Sequence, residues 1–282
     1  MALLKKNEIH LWYQDLEAPF LQSLEGAYLS LLNSEERKKF ASFEVSCKKK
    51  EYWASRILIR SVLSRYLPVT FGSLKFEENS FGRPEISLPN LNPPLNFNIS
   101  HCNGLLVCAV ALDCELGIDV EDTKEFEDVT GIAKRYFSPA EVSDLRKCDV
   151  GNKTKRFYEY WTLKEAYIKA RGKGLTIPLR DFTFELTSWG TINFSTNPSL
   201  DDNPTGWQFS LHKPMENHQM ALAVRQIGNS DFEIIEHWNL LSELFQDQNF
   251  GLTSRSLSQA GETSEIPARR ANAIPGFPVI KS

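Results

Sequence analysis

Ile9, Leu11 and Tyr13 recur at every second position, the period that predicts a strand. The same alternation returns at Leu74 and Phe76, and at Phe182, Phe184 and Leu186. Leu105 to Leu112 is instead an unbroken apolar run of strand length, expected to be buried on both faces. From Leu116 to Glu121 the pattern splits: Leu116, Ile118 and Val120 share one face, while Gly117, Asp119 and Glu121 share the other. Residues 48–67 and 154–170 read as long helices. A shorter helix is expected from Ser138, where Ser138 and Glu141 make a capping box with Pro139 at the first helical position. Asn33 to Glu36 gives a similar start.

These elements repeat. Glu51-Tyr52-Trp53 returns as Glu159-Tyr160-Trp161, and Phe76-Glu77 as Phe184-Glu185. Ala109-Val110 and Ala223-Val224, and Ser34 and Ser138, follow in the same order at nearly the same offset. The order suggests two related α/β halves, residues 1–112 and 113–246, with the site in the cleft between them. The stretch from Gly251 to Ser282 is rich in Ser, Gly, Pro and Ala with Phe277 as its sole aromatic, so 247–282 is expected to be a flexible tail.

Composition narrows the function. The chain has 282 residues, 41% of them apolar, enough for a core and for about two domains. A net charge of −4 argues against a general nucleic-acid binder. No apolar run is long enough for a membrane helix, and no secretory signal is expected. Cys47, Cys102, Cys108, Cys114 and Cys148 contain no C-x-x-C spacing and are expected to be free thiols in a reducing cytoplasm.

The candidate chemistry sits in a few segments. Asp119 and Glu121 point the same way from one strand, either as a solvated strand end or as oxygen ligands suited to Mg²⁺. Glu165 and Lys169 share a helix face at i, i+4, either as a surface pair or, on this aromatic-rich helix, as partners of the two strand carboxylates. The equivalent first-half positions are Ile57 and Ser61, which places the chemistry in the second half. Arg171-Gly172-Lys173-Gly174 lacks the phosphate-loop spacing and is expected to end the helix. Ser100-His101 at a strand and Arg83 in a turn offer phosphate donors. Basic clusters at Arg37-Lys38-Lys39, Lys48-Lys49-Lys50 and Arg56/Arg60 could face one polyanion, though most such clusters are solvated helix faces.

The ordered set Gly117-Ile118-Asp119-Val120-Glu121, Phe137-Ser138-Pro139-Ala140-Glu141 and Trp161-Thr162-Leu163-Lys164-Glu165-Ala166-Tyr167-Ile168-Lys169 resembles the 4′-phosphopantetheinyl transferase superfamily, Sfp-type. Gly82-Arg83-Pro84, Asn98-Ile99-Ser100-His101 and Ser55 to Arg60 add to that resemblance, which spans residues 10–240. It implies an α/β (α+β) fold of pseudo-twofold form, two similar halves with the active site between them. It also implies transfer of the 4′-phosphopantetheine arm of coenzyme A to a serine of an acyl or peptidyl carrier protein, with release of adenosine 3′,5′-bisphosphate. By the same resemblance, Asp119, Glu121 and Glu165 hold Mg²⁺, and Glu165, or Glu121, takes the serine proton. Lys169 assists the leaving phosphate, and Lys50, Arg56, Arg83, Ser100, His101, Asp119, Lys164 and Lys169 contact coenzyme A. Glu141 could be no more than a helix cap, and the enzyme is expected to be a cytoplasmic monomer with no nucleic-acid or membrane partner. A departure follows the His: Cys102-Asn103-Gly104 stands where some relatives have serine and glycine, so the local turn is expected to differ. Two rival readings stand beside this one. Another Mg²⁺-dependent phosphotransferase or pyrophosphohydrolase would turn over coenzyme A without a carrier. A non-catalytic coenzyme A or carrier-binding module would be favoured by loss of Glu165 or Lys169, and both are present.

Overall fold

The structure, a computed structural model, describes residues 4–29, 32–69, 73–81, 83–88, 91–124, 128–187, 189–226 and 231–243, with Arg269–Arg270. Gly82 and the expected tail 247–282, those two arginines apart, lie outside the described residues. In chain order the elements are β1 (Glu8–Asp15), α1 (Leu21–Tyr28), α2 (Ser34–Ser42), α3 (Ser46–Tyr66), β2 (Lys75–Glu78), β3 (Pro84–Leu88), β4 (Leu95–Cys102), β5 (Leu105–Leu112) and β6 (Leu116–Asp122). There follow α4 (Val129–Tyr136), α5 (Pro139–Lys147), α6 (Val150–Arg171), β7 (Phe182–Leu186), β8 (Ile192–Thr196), β9 (Trp207–His212), β10 (His218–Arg225), β11 (Glu233–Trp238) and β12 (Arg269–Arg270).

Two sheets pack face to face between two long helices. The first has the order β12-β11-β1-β5-β4, the second β6-β10-β9, and β2-β3 and β7-β8 form separate hairpins. Within them β1-β5-β4 and β6-β10-β9 share one antiparallel order. The alternation in β1 explains the layering. Ile9, Leu11 and Tyr13 join Val107, Ala109, Ile118, Val120, Met220 and Leu222 in the core between the sheets. Trp12 points the other way, into the core that α3 closes with Trp53, Ile57 and Leu58. Beyond the second sheet, α6 packs Leu163, Ala166, Tyr167 and Ala170 over Ala221 and Ala223. The chain then returns to the first sheet, where β11 lies parallel to β1.

The expected helix starts are present. Asn33 with Glu36 and Ser138 with Glu141 each form a full capping box. The helix expected from 154 begins at Val150, because the Asp149 side chain accepts the Asn152 N–H and caps it earlier. Gly172 ends it at φ 61°, the left-handed C-cap expected of that glycine.

Two local features bring the site residues together. Gly117 on β6 lies directly beneath α6. A Cβ built there would stand 2.0 Å from the Ala166 carbonyl oxygen and 2.3 Å from the Ala170 nitrogen, so only glycine lets the helix come this close. The sheets also meet at β4 and β6 through side chains. Ile118 N–H donates to Asn98 Oδ1 at 2.9 Å, and Val120 N–H donates to Ser100 Oγ at 3.2 Å. Asn98 and Ser100 thus take the place of carbonyl oxygens that a paired strand would offer.

Candidate active site

On β6, Asp119 and Glu121 share the face that Gly117 opens toward α6, and both are buried. On α6, Glu165 and Lys169 are one turn apart and half-buried, and both line a cavity of about 240 Å³. Its remaining walls include Phe81, Arg83, Phe97, Asn98, Ile99 and Gly172, so pieces of both halves of the chain meet there. Lys169 Nζ donates to Asp119 Oδ1 at 2.6 Å and to Ser100 Oγ at 2.9 Å. Ser100 in turn donates to Asp119 Oδ1 at 3.1 Å, so the Lys, the Ser and the Asp form a closed triangle.

The electrostatics follow from that packing. Burial and the nearby Asp119 push the Glu165 carboxyl up to about 7, with Lys169 pulling the other way. Burial alone would lower the Lys169 ammonium, but Asp119, Glu165 and Glu121 together hold it above its ordinary range. The three carboxylates expected to bind Mg²⁺ are therefore all felt at one ammonium. Among the described residues they do not close into a cluster of three ligands. As the chain is arranged here, Lys169 is the cation that sits against Asp119.

Lys164 lies elsewhere, which corrects its expected contact with coenzyme A. Its side chain is wholly buried; Nζ donates to the carbonyls of Leu179 at 2.8 Å and Phe182 at 2.7 Å and pairs with Glu141 Oε2 at 2.8 Å. The reason is its partners: Lys164 is committed to the Leu179 and Phe182 carbonyls and to Glu141, while its neighbour Glu165 lines the cavity. Glu141 is correspondingly more than a cap, since it also accepts the Phe184 N–H at 2.8 Å.

Arg83 lines the cavity, but its Nη1 donates to the carbonyls of Lys169 and Ala170, both at 3.0 Å. His101 sits on the opposite face of β4 from Ser100, with Nδ1 3.6 Å from Glu51 Oε2, to which Lys48 also pairs at 2.7 Å. Arg56 lies over the Tyr52 ring at 5.2 Å, and Lys50 pairs with Glu17 at 2.7 Å. Lys50 and Arg56 thus lie on α3 and His101 near the end of β4, and among the described residues none of the three lines the cavity beside Glu165 and Lys169. Sequence reasoning missed Gly117 as a packing contact and Asn98 as a bridge. Their signal was present, since each shares the alternating face of a site residue: Gly117 that of Asp119, and Asn98 that of Ser100.

Residues 115–223 match the 4′-phosphopantetheinyl transferase superfamily, and residues 18–113 match the 4′-phosphopantetheinyl transferase N-terminal family. The 4′-phosphopantetheinyl transferase HetI of Nostoc sp. is 33% identical over 225 residues, covering 80% of this chain and 91% of that protein. The chain belongs to the 4′-phosphopantetheinyl transferase superfamily. The 4′-phosphopantetheinyl transferase Sfp of Bacillus subtilis is 34% identical over 208 residues, or 73% of this chain and 88% of that protein. A solved holo-(acyl-carrier-protein) synthase of Bacillus anthracis, in complex with coenzyme A (3′,5′-ADP), aligns at 19% identity and a TM-score of 0.34, over 39% of this chain and 94% of its own. This member of the superfamily is thus a transferase of the 4′-phosphopantetheine arm. The family's donor is coenzyme A and its acceptor a carrier-protein serine. No described helix is long and apolar enough to cross a membrane.

Proposed function

We propose that the cavity beside Glu165 and Lys169 is where the coenzyme A pyrophosphate meets the carrier serine. The observation that carries this reading is the Lys169 ammonium held at 2.6 Å from Asp119 on the rim of a cleft that Glu165 also lines. Glu165 takes the serine proton as the hydroxyl oxygen attacks the phosphorus that bears the pantetheine arm. The phosphoanhydride bond to the adenosine part breaks, and adenosine 3′,5′-bisphosphate leaves. Lys169 lies within the same cleft and offsets the negative charge that gathers on the departing phosphate. Ser100 orients Lys169 and Asp119 by bonding to both.

The donor set fits Mg²⁺: Asp119, Glu121 and Glu165 are hard oxygen ligands, and their mutual repulsion is what a divalent ion relieves. These three would hold it, and its chemistry there is to neutralise charge on the phosphates. Arg56 on α3 and His101 near the end of β4 would take the bisphosphate end of coenzyme A. Five cysteines outside any disulfide support a reducing cytoplasmic setting, and the acidic balance supports no nucleic-acid partner.

The test is direct. The protein is incubated with coenzyme A, Mg²⁺ and an apo carrier protein, and the carrier's intact mass is read. The expected result is a gain equal to one phosphopantetheine arm, and none with Glu165→Gln. Tight coenzyme A binding without transfer to any of several apo carriers would overturn the reading.

A further inference from the structure

We propose that Arg83 is a positioning residue: it reaches from the β2–β3 hairpin to cap the last turn of α6 and so fixes the backbone that presents Lys169 to Asp119. This rests on the role given to Lys169 above.

The final carbonyls of any helix lack partners within it and need donors from outside. Here the Gly172 N–H serves the Ile168 and Lys169 carbonyls at 3.1 and 3.2 Å, and further donors come from a hairpin far away in sequence. Arg83 Nη1 serves the Lys169 and Ala170 carbonyls, each at 3.0 Å, and Asn79 Nδ2 serves the Gly172 carbonyl at 3.1 Å. Asn79 also builds the turn that holds the arginine. Its Oδ1 accepts the N–H of Phe81 at 2.9 Å and of Arg83 at 3.1 Å, and its own N–H donates to the Arg83 carbonyl at 2.9 Å. A guanidinium at a helix C-terminus is favoured by the helix dipole as well.

The fit is close. A Cβ at Gly172 would stand 3.3 Å from Arg83 Nη1 and 3.4 Å from Asn79 Nδ2, so the left-handed glycine cap and the hairpin fit as one unit. The result is a residue pinned at both ends. The Lys169 side chain is held by Asp119 and Ser100, and its carbonyl by Arg83 together with the Gly172 N–H. An arginine whose Nη1 is committed to two backbone carbonyls has a different first duty from a phosphate contact, although it borders the same cavity.

The two roles give opposite results. Arg83→Met is compared with the wild type by hydrogen exchange of a peptide covering residues 165–172, with no coenzyme A present. The cap predicts faster exchange in that peptide and a lower Tm of the ligand-free protein. In transfer assays it predicts a kcat lower by roughly 10- to 100-fold with KM for coenzyme A within about threefold of wild type. Arg83→Lys, which keeps a donor for one carbonyl, should recover part of both effects. Unchanged exchange together with a raised KM would overturn the cap and make Arg83 a substrate contact. If Arg83→Met does not fold, Asn79→Ala stands in; it should speed exchange in the same peptide, and no change there would equally overturn the proposal. A wild-type protein that transfers nothing would sink the proposed function while leaving the exchange result to decide on the cap.

Discussion

Lys164 Nζ lies 2.8 Å from Glu141 Oε2, and neither side chain has any solvent exposure. Two charges this deep hold one another in place, and each also satisfies backbone groups of the β7 hairpin or the turns leading to it. Removing one partner strands the other. Lys164→Met should therefore cost about 3–5 kcal/mol. The double variant Lys164→Met/Glu141→Leu should cost less than the sum of the two single changes. Urea unfolding of the four proteins measures this, and strict additivity would refute the coupling. Coenzyme A affinity of whatever folded Lys164→Met protein remains should be near wild type, in contrast to the sequence-based expectation.

Lys169 makes the opposite kind of pair, half-buried at the edge of a cleft. Lys169→Ala should lower kcat by roughly 10²- to 10³-fold, the scale for loss of one charge-stabilising donor. Its effect on stability should be smaller than that of Lys164→Met, because Lys169 itself is partly exposed and Asp119 keeps the Ser100 hydroxyl as a donor. Steady-state transfer assays and a melt on the same sample test both halves of this statement.

Gly117→Ala is a steric experiment on the distance between β6 and α6. The added Cβ would meet helix backbone at 2.0 Å, and backbone has no flexible end to swing away. The helix must shift, taking Glu165 and Lys169 with it. Activity should fall by roughly 10²-fold, with about 1–3 kcal/mol of destabilisation from overpacking. Wild-type kinetics in the alanine variant would show that the close approach has no bearing on the site.

Glu159 gives a pH dependence of unusual sign for a carboxylate. Burial raises it from an ordinary 4.5 to about 8, against the pull of Arg156, whose Nη1 is 2.7 Å away. The folded protein thus holds this proton more tightly than the unfolded chain does. Its contribution to stability is complete below pH 4.5 and is lost as pH rises through about 8. Glu159→Gln, which stays neutral, should show a flatter fall of Tm across that window than the wild type. Parallel Tm curves would refute the assignment.

Much of this was legible in the residues, for physical reasons. Strands with one face in the inter-sheet core had to alternate, so Ile9, Leu11 and Tyr13, and Leu116, Ile118 and Val120, announced themselves. That alternation also put Asp119 and Glu121 together, and the helical period put Glu165 over Lys169. Lys164 could not be set aside by the same period, since the equally adjacent Ile168 and Lys169 both line the cavity. Arg83 was harder: a turn arginine reads as a free donor until the helix end that uses it, at Lys169 and Ala170, is placed beside it. The Asn98 bridge was hidden for the same reason, because its partner is a backbone N–H that no side-chain pattern encodes.

That bridge ties assembly to chemistry. Because the contact between β4 and β6 runs through Asn98 and Ser100, a slip of β4 by one residue would present Ile99 and His101 to β6 instead. The backbone N–H groups of Ile118 and Val120 would lose their acceptors, and Lys169 its serine, in a single step. A chain that docks its two sheets out of step therefore cannot become a weakly active enzyme; the alternation of one strand makes correct docking and a working site the same event.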